Sequence, residues 1–328
     1  MVLVLSSKDV ESLTNMGDTI TAIERAQADA ATGTAHNPIP SSVHLSSSNA
    51  KFLAMPALAD RQQLAAVKFL ADIPGNRLTG LPVQRSTILL ASQETGEILA
   101  ILDGRVPTRC RTAAASAVAT KYLARPESSC LGLIGAGPLA VAHVEAMISV
   151  LPIEHIIVWS RTAASAERFL AQTAYHGLDV RISEDISHVI AAADVVCTLT
   201  PSKAPLVQGK WFQPGQHINA VGAPPRPDHR EIDTEGITRA TVFVDDFGTA
   251  LQKSGEIVIP IADGSIYPQS VQREIGDVIG GLIPGRQSAR EITLFDSVGL
   301  GLQDLAIGSL LYDAARAAGV GVEVNLSL

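Results

Sequence analysis

The 328-residue sequence is poor in cysteine, in aromatic residues and in positive charge. Its three cysteines, Cys110, Cys130 and Cys197, show no CxxC spacing, which argues against a disulfide framework and a cysteine-based zinc site. The eight histidines are scattered, without H-E-x-x-H or another close ligand set, so no metal is expected. Lys and Arg number 25 against 33 Asp and Glu, a formal charge of −8, and no overall basic excess exists to hold a nucleic acid. No window reaches the roughly 18 uninterrupted apolar residues of a membrane span. The start, MVLVLSSKDVESL, has no basic leader and reads as a strand running into a helix, not a signal peptide. A cytoplasmic location is the expectation.

What is present is largely apolar: 46% of residues are hydrophobic and 18% charged, with a mean hydropathy of +0.23. That balance suits sheets buried on both faces. Residues 9–31 carry helical spacing, with Val10, Leu13, Ile20 and Ile23 on one side. Residues 41–49 read as an exposed polar turn. Strand-like runs follow at 51–55, 65–70, 86–91 and 98–102, punctuated by Gly75-Asn76 and Gly96-Glu97. Several short strands after one helix predict an α+β domain. Residues 111–123 are Ala-rich helix material that ends near Arg125-Pro126. Strands at 130–135, 155–159, 195–199, 217–221 and 241–245, with helices at 140–150 and 163–176, have the spacing of a parallel, doubly wound sheet. A last Ala-rich helix, 301–318, either closes this domain or returns to the first. The fold class is therefore α/β, with a Rossmann-type parallel-sheet nucleotide domain and a second, α+β domain.

The sharpest local motif is G-x-G-x-x-A. Gly135, Ala136, Gly137, Pro138, Leu139 and Ala140 lie between an apolar strand and a helix. Gly135 permits a tight turn, Gly137 a close approach to pyrophosphate, and Ala140 close helix–sheet packing. Pro138 costs little at a helix start. The next strand ends in Ser160-Arg161-Thr162, without the acid that usually accepts from the ribose hydroxyls of NAD. Those three residues suit a ribose 2′-phosphate, so NADP(H) is preferred and NAD(H) remains possible. The bland alternative makes Arg161 a solvated helix-start residue. Thr198 and Thr200, at a later strand end, are either cofactor neighbours or ordinary sheet residues.

Five segments taken in order resemble the ornithine cyclodeaminase/mu-crystallin family. They are Lys51-Phe52-Leu53-Ala54-Met55-Pro56-Ala57, Val67-Lys68 running to Pro74-Gly75-Asn76, Thr108-Arg109-Cys110-Arg111-Thr112-Ala113-Ala114, the Gly135 loop, and the run from Ile292 through Phe295-Asp296-Ser297-Val298-Gly299 to Gln303-Asp304. The resemblance implies a homodimer of two-domain subunits. Residues 1–120 with 305–328 would form the substrate-binding and dimerisation domain, and residues 121–304 the NAD(P)-binding domain. Known members act on α-amino or α-imino carboxylates beside nicotinamide.

An arginine fork meets both oxygens of a carboxylate, and the resemblance places Arg111 against the substrate's acid group. Read alone, Arg111 could equally be a surface helix-start residue. Lys68 sits in an apolar strand, where a charge needs a partner or a purpose. Alone it could guard a sheet edge; the family role is carboxylate contact or acid/base chemistry. Asp228, in Arg226-Pro227-Asp228-His229-Arg230-Glu231, is a candidate for orienting the imine nitrogen, against a turn-forming alternative. Family members commonly carry an arginine where this chain has Pro38-Ile39-Pro40-Ser41, and His44 is either a compensating donor or a structural histidine. The resemblance also puts Met55 and Ser297 near the substrate, and Thr112 and Val221 near the cofactor. Asp304 would cap or pair at the following helix. The expected activity is NADPH-dependent reduction of a small cyclic 2-imino carboxylate. Alternatives are ornithine cyclodeamination with tightly held NAD, amino-acid dehydrogenation, and a catalytically silent binding protein.

Overall fold

The computed structural model describes residues 1–44 and 49–326. The chain divides into two compact units, Met1–Arg111 with Leu300–Leu328, and Thr112–Gly299. Among the described residues no helix is long and apolar enough to cross a membrane.

The first unit opens with β1 (Val2–Leu5), α1 (Ser7–Leu13) and α2 (Met16–Ala31). The single helix expected over residues 9–31 is thus two. Asn15 interrupts it, its side chain accepting from the Asp18 amide at 3.0 Å as the cap of α2. The apolar spacing carries across the break, and Val10, Ile20 and Ile23 are all buried. Short strands β2 (Ala35–His36) and β3 (Ser41–His44) precede the long β4 (Lys51–Ala59), β5 (Leu64–Asp72) and β6 (Gln84–Ser92), then β7 (Ile98–Asp103). The turn expected at 41–49 is therefore strand in its first four residues, paired antiparallel with β4; residues 45–48 lie outside the described residues.

Alternation along β4 and β5 is strict. Leu53, Met55, Ala57, Lys68 and Leu70 turn inward. The other face carries Phe52, Leu58, Val67 and Phe69, and the Phe52 and Phe69 rings stack at 5.9 Å. This sheet is apolar on both faces, while Phe52, Leu58 and Phe69 remain exposed. Helix α3 (Arg105–Leu123) follows, starting six residues before the expected position because Pro107 is tolerated in its first turn.

The second unit runs β8 (Cys130–Ile134), α4 (Pro138–Ile148), β9 (His155–Trp159), α5 (Ala163–Thr173), β10 (Asp179–Ser183), α6 (Ile186–Ala192), β11 (Val195–Thr198) and β12 (His217–Ala220). It continues through α7 (Thr234–Arg239), β13 (Thr241–Val244), α8 (Phe247–Lys253), α9 (Gly255–Ala262), α10 (Ile275–Ile279) and β14 (Thr293–Asp296). All its strand pairs are parallel, in the order β10-β9-β8-β11-β12-β14-β13. From β10 to β12 this is a Rossmann order, with the reversal between β8 and β11. One apolar cluster gathers Leu131, Leu133, Val144, Val158 and Phe169, and another Ile134, Val189, Val196, Ile218 and Leu294. Burial on both faces explains strands that are continuous apolar runs rather than alternating ones.

The chain then re-enters the first unit as α11 (Gly301–Ala318) and β15 (Val322–Val324). The first sheet is ordered β15-β1-β7-β6-β5-β4-β2, and α11 packs on α2, β4, β5 and β6.

Candidate functional site

In the first unit β5 is flanked by β4 and β6, so Lys68 is no edge-strand guard. It points inward opposite Met55 and Ile88, only 1% exposed, with Nζ 2.6 Å from Asp304 Oδ2. Arg111 is buried as well. Its Nε donates to Asp304 Oδ1 at 3.2 Å and its Nη1 to Gln303 Oε1 at 2.9 Å, which sets aside the surface alternative. Gly301 makes the convergence possible: a Cβ there would stand 2.7 Å from the Met55 and Pro56 carbonyl oxygens, and α11 would have to lift off β4. Asp304 thus pairs with both cations. Two positive charges against one carboxylate leave a net positive charge in an apolar surround, the electrostatic counterpart of one acid group. Burial pulls the Lys68 pKa down to about 8, with Asp304 opposing that shift and Arg111 adding to it. Met55 is buried beside this cluster. His44 is not brought to it: its side chain is exposed and its register partner Lys51 lies four residues from Met55 along β4, roughly 13 Å.

In the second unit the Gly135 turn has the form that a dinucleotide requires. Gly135 takes φ +119°, and a Cβ would meet the Leu199 carbonyl oxygen at 2.9 Å. Gly137 caps α4 at Pro138, and the space where its Cβ would point is open for 4 Å. Ala136 and Leu139 flank it, and Ala140 is fully buried against the sheet. The start of this 11-residue helix, with its positive end and open space at Gly137, fits a pyrophosphate. After β9, Thr162 caps α5 by accepting from the Ser165 amide at 3.4 Å; Arg161 is exposed and Ser160 half-buried. Thr112 is half-buried within α3.

Thr198 and Thr200 are placed differently from free cofactor donors. Their hydroxyls donate to Glu231, at 2.7 and 2.6 Å, and the amides of Thr200 and Gly222 donate to the same carboxylate. Glu231 therefore ties the ends of β11 and β12 together, a role the sequence reading missed. The Glu231 amide in turn donates to Glu256 at 2.7 Å. Val221 and Ser297 line a small cleft together with Pro224, Ser254, Glu256 and Asp296. Burial raises the Asp296 pKa to about 7, with Ser254 opposing and Asp245 adding, and raises Glu256 well above the ordinary range. Ser297 Oγ donates to Asp245 at 3.3 Å, and Asp245 also accepts from the Val298 and Gly299 amides. A signal for this acidic floor existed: Glu256 stands inside the apolar run Gly255-Glu256-Ile257-Val258-Ile259.

Asp228 sits on an exposed loop. It pairs with Lys203 and His229, both at 2.9 Å, and the Lys203 hydrogen bond leads in holding its pKa down at about 2. Such a carboxylate carries no proton to give at neutral pH. Among the described residues no three His, Cys, Asp or Glu side chains are grouped to hold a metal.

A model of the ornithine cyclodeaminase/mu-crystallin family matches residues 1–319. Alanine dehydrogenase of Archaeoglobus fulgidus is 36% identical over 323 residues, 98% of each chain. Ketimine reductase mu-crystallin of Mus musculus is 36% identical over 260 residues, 79% of each. The structure of Thermococcus litoralis Δ1-pyrroline-2-carboxylate reductase in complex with NADH and L-proline superposes with a TM-score of 0.94 at 34% identity, covering 98% of this chain and 100% of that one.

Proposed function

This chain belongs to the ornithine cyclodeaminase/mu-crystallin family, and from that premise we propose that it is an NADPH-dependent reductase of a small cyclic 2-imino carboxylate, of the Δ1-pyrroline-2-carboxylate or Δ1-piperideine-2-carboxylate kind. The observation that carries the reading is the convergence of buried Lys68 and Arg111 on Asp304. One acid group matches its net charge, and Arg111 offers the planar fork for it. A bound nicotinamide supplies the hydride that the imine carbon accepts.

Lys68 gives up a proton more readily than an ordinary lysine, which suits it to protonate the nitrogen as hydride arrives. Asp228, ionised and exposed, orients or leaves the reaction to others; it is not the acid. The Gly135 turn and the α4 amides hold the pyrophosphate. Ser160, Arg161 and Thr162, with no acid at the end of β9, favour the 2′-phosphate of NADP over the bare ribose of NAD. A second reading, amino-acid dehydrogenation, is favoured by the likeness to alanine dehydrogenase along the whole chain.

The exposed apolar face of β4 and β5, with Phe52, Leu58 and Phe69, supports a homodimer formed through this sheet. The test of function is a parallel NADPH and NADH assay over cyclic 2-imino acids, with simple amino acids and ornithine offered in reverse. Cofactor oxidation by a cyclic imino acid is expected. Arg161→Ala should raise the KM for NADPH about tenfold while sparing NADH. Absence of turnover with every cyclic imino acid would overturn the proposal, and net cofactor reduction by an amino acid alone would install the dehydrogenase reading.

A further inference from the structure

We propose that Asn37 and Gln303 complete the acid-group site of the first unit, their amide NH₂ groups donating to the carboxylate oxygens of the bound 2-imino acid. The inference deepens the function proposed above and rests on it.

The orientation of both amides is fixed by partners that can only donate. Asn37 Oδ1 accepts from the Leu302 backbone amide at 3.1 Å. Gln303 Oε1 accepts from Arg111 Nη1 at 2.9 Å and from the Leu300 amide at 3.4 Å. A backbone N–H and a guanidinium offer no lone pair, so each side-chain oxygen must face them and each NH₂ must turn the other way. Turned away, Asn37 Nδ2 and Gln303 Nε2 are both buried and have no acceptor. Gln303 is wholly buried, so bulk water cannot serve it. A buried donor without an acceptor in a native fold asks for a missing group.

Its place says which group. Gln303 belongs to the first turn of α11 and Asn37 binds that turn from outside, beside Asp304, which holds Lys68 and Arg111. A carboxylate is acceptor-only, with two oxygens and about four lone-pair sites, so it can take the cations and the amides together. The amides add hydrogen bonds without adding charge. With Asp304 offsetting one of the two cations, Lys68 and Arg111 together balance a single carboxylate. The arrangement therefore selects 2-imino acids with one acid group and a neutral ring or side chain over dicarboxylic ones.

Gln303→Glu and Asn37→Asp are the decisive variants. Each keeps the oxygen that Arg111 or Leu302 needs and replaces the NH₂ by an acceptor. We expect the KM for the cyclic imino acid to rise at least tenfold in each, with kcat changed less than threefold. The dissociation constant for NADPH and the melting temperature should hold, and a purely structural role would move the latter. L-proline, used as a saturated probe in a calorimetric titration, should weaken in parallel. If either variant fails to fold, the native enzyme still decides. It should prefer a monocarboxylic imine to a matched dicarboxylic one by at least tenfold in kcat/KM, and equal turnover of the two would overturn the proposal. So would an unchanged KM in a folded variant, or a loss of kcat at constant KM. A native enzyme that turns over no 2-imino acid would instead fail the parent reading, which separates the two.

Discussion

Lys68 is worth isolating because its two neighbours push its proton affinity in opposite directions while burial dominates both. A lysine acid is active when protonated, so kcat/KM for imine reduction should be level at low pH and fall tenfold per pH unit above about 8. Lys68→Arg keeps the positive charge but cannot release a proton in this range. It should erase that falling limb and lower kcat by roughly 100-fold or more, as read from pH–rate profiles of both proteins. Asp296 makes the opposite case. Burial raises its pKa from 3.8 to about 7, so the folded state holds a proton that the unfolded chain releases between those values. The stability it contributes is complete below 3.8 and lost as pH climbs through about 7. Asp296→Asn should flatten the dependence of the urea midpoint on pH between 4 and 8, and should be the more stable protein at pH 8. Lys68 and Arg111 were singled out through the family resemblance; read alone, a lysine in an apolar strand and an arginine opening an Ala-rich helix each had an ordinary structural explanation, and only their shared burial on Asp304 removes it. Asn37 and Gln303 were not singled out, since neutral amides stand out only when their hydrogen-bond partners are known.

At the scale of elements, the Gly135 turn separates two kinds of glycine. Gly135 is needed for the fold itself, whereas the space at Gly137 is empty of protein. Gly137→Val should therefore leave the thermal melt within a degree or two of native while raising the NADPH dissociation constant at least tenfold, by fluorescence titration. Equal affinities would mean that pyrophosphate does not lie there. Five of the seven parallel strands were readable as short apolar runs, and His155–Trp159 begins and ends where the pattern placed it; β10, with the largely exposed sequence Asp179-Val180-Arg181-Ile182-Ser183 at the sheet edge, and the four-residue β14 were not. The helices α7 to α10 were not, because five to eight residues are too few to display a period. The break at Asn15 was missed for another reason. Apolar spacing on either side stays in phase, and only the capping geometry reveals the interruption.

At the scale of the molecule, the outward face of β4 and β5 is too apolar to be ordinary surface, with Phe69 54% exposed. Phe69→Asp should convert a dimer to a monomer in sedimentation velocity, and a native protein that sediments as a monomer at micromolar concentration would remove the dimer from consideration.

The position of Asp304 has a bearing on how the chain is made. The acid that neutralises Lys68 and Arg111 is carried on α11, and the whole of Thr112–Gly299 is synthesised between β5 and that helix. A nascent chain therefore holds two cations that it cannot bury cheaply until the ribosome has passed α11, while the parallel sheet needs nothing further to close. The layer translated first is the one finished last. A protease cut just after Gly299 would leave Asp304 held against both cations only by the packing of α11 on α2, β4, β5 and β6.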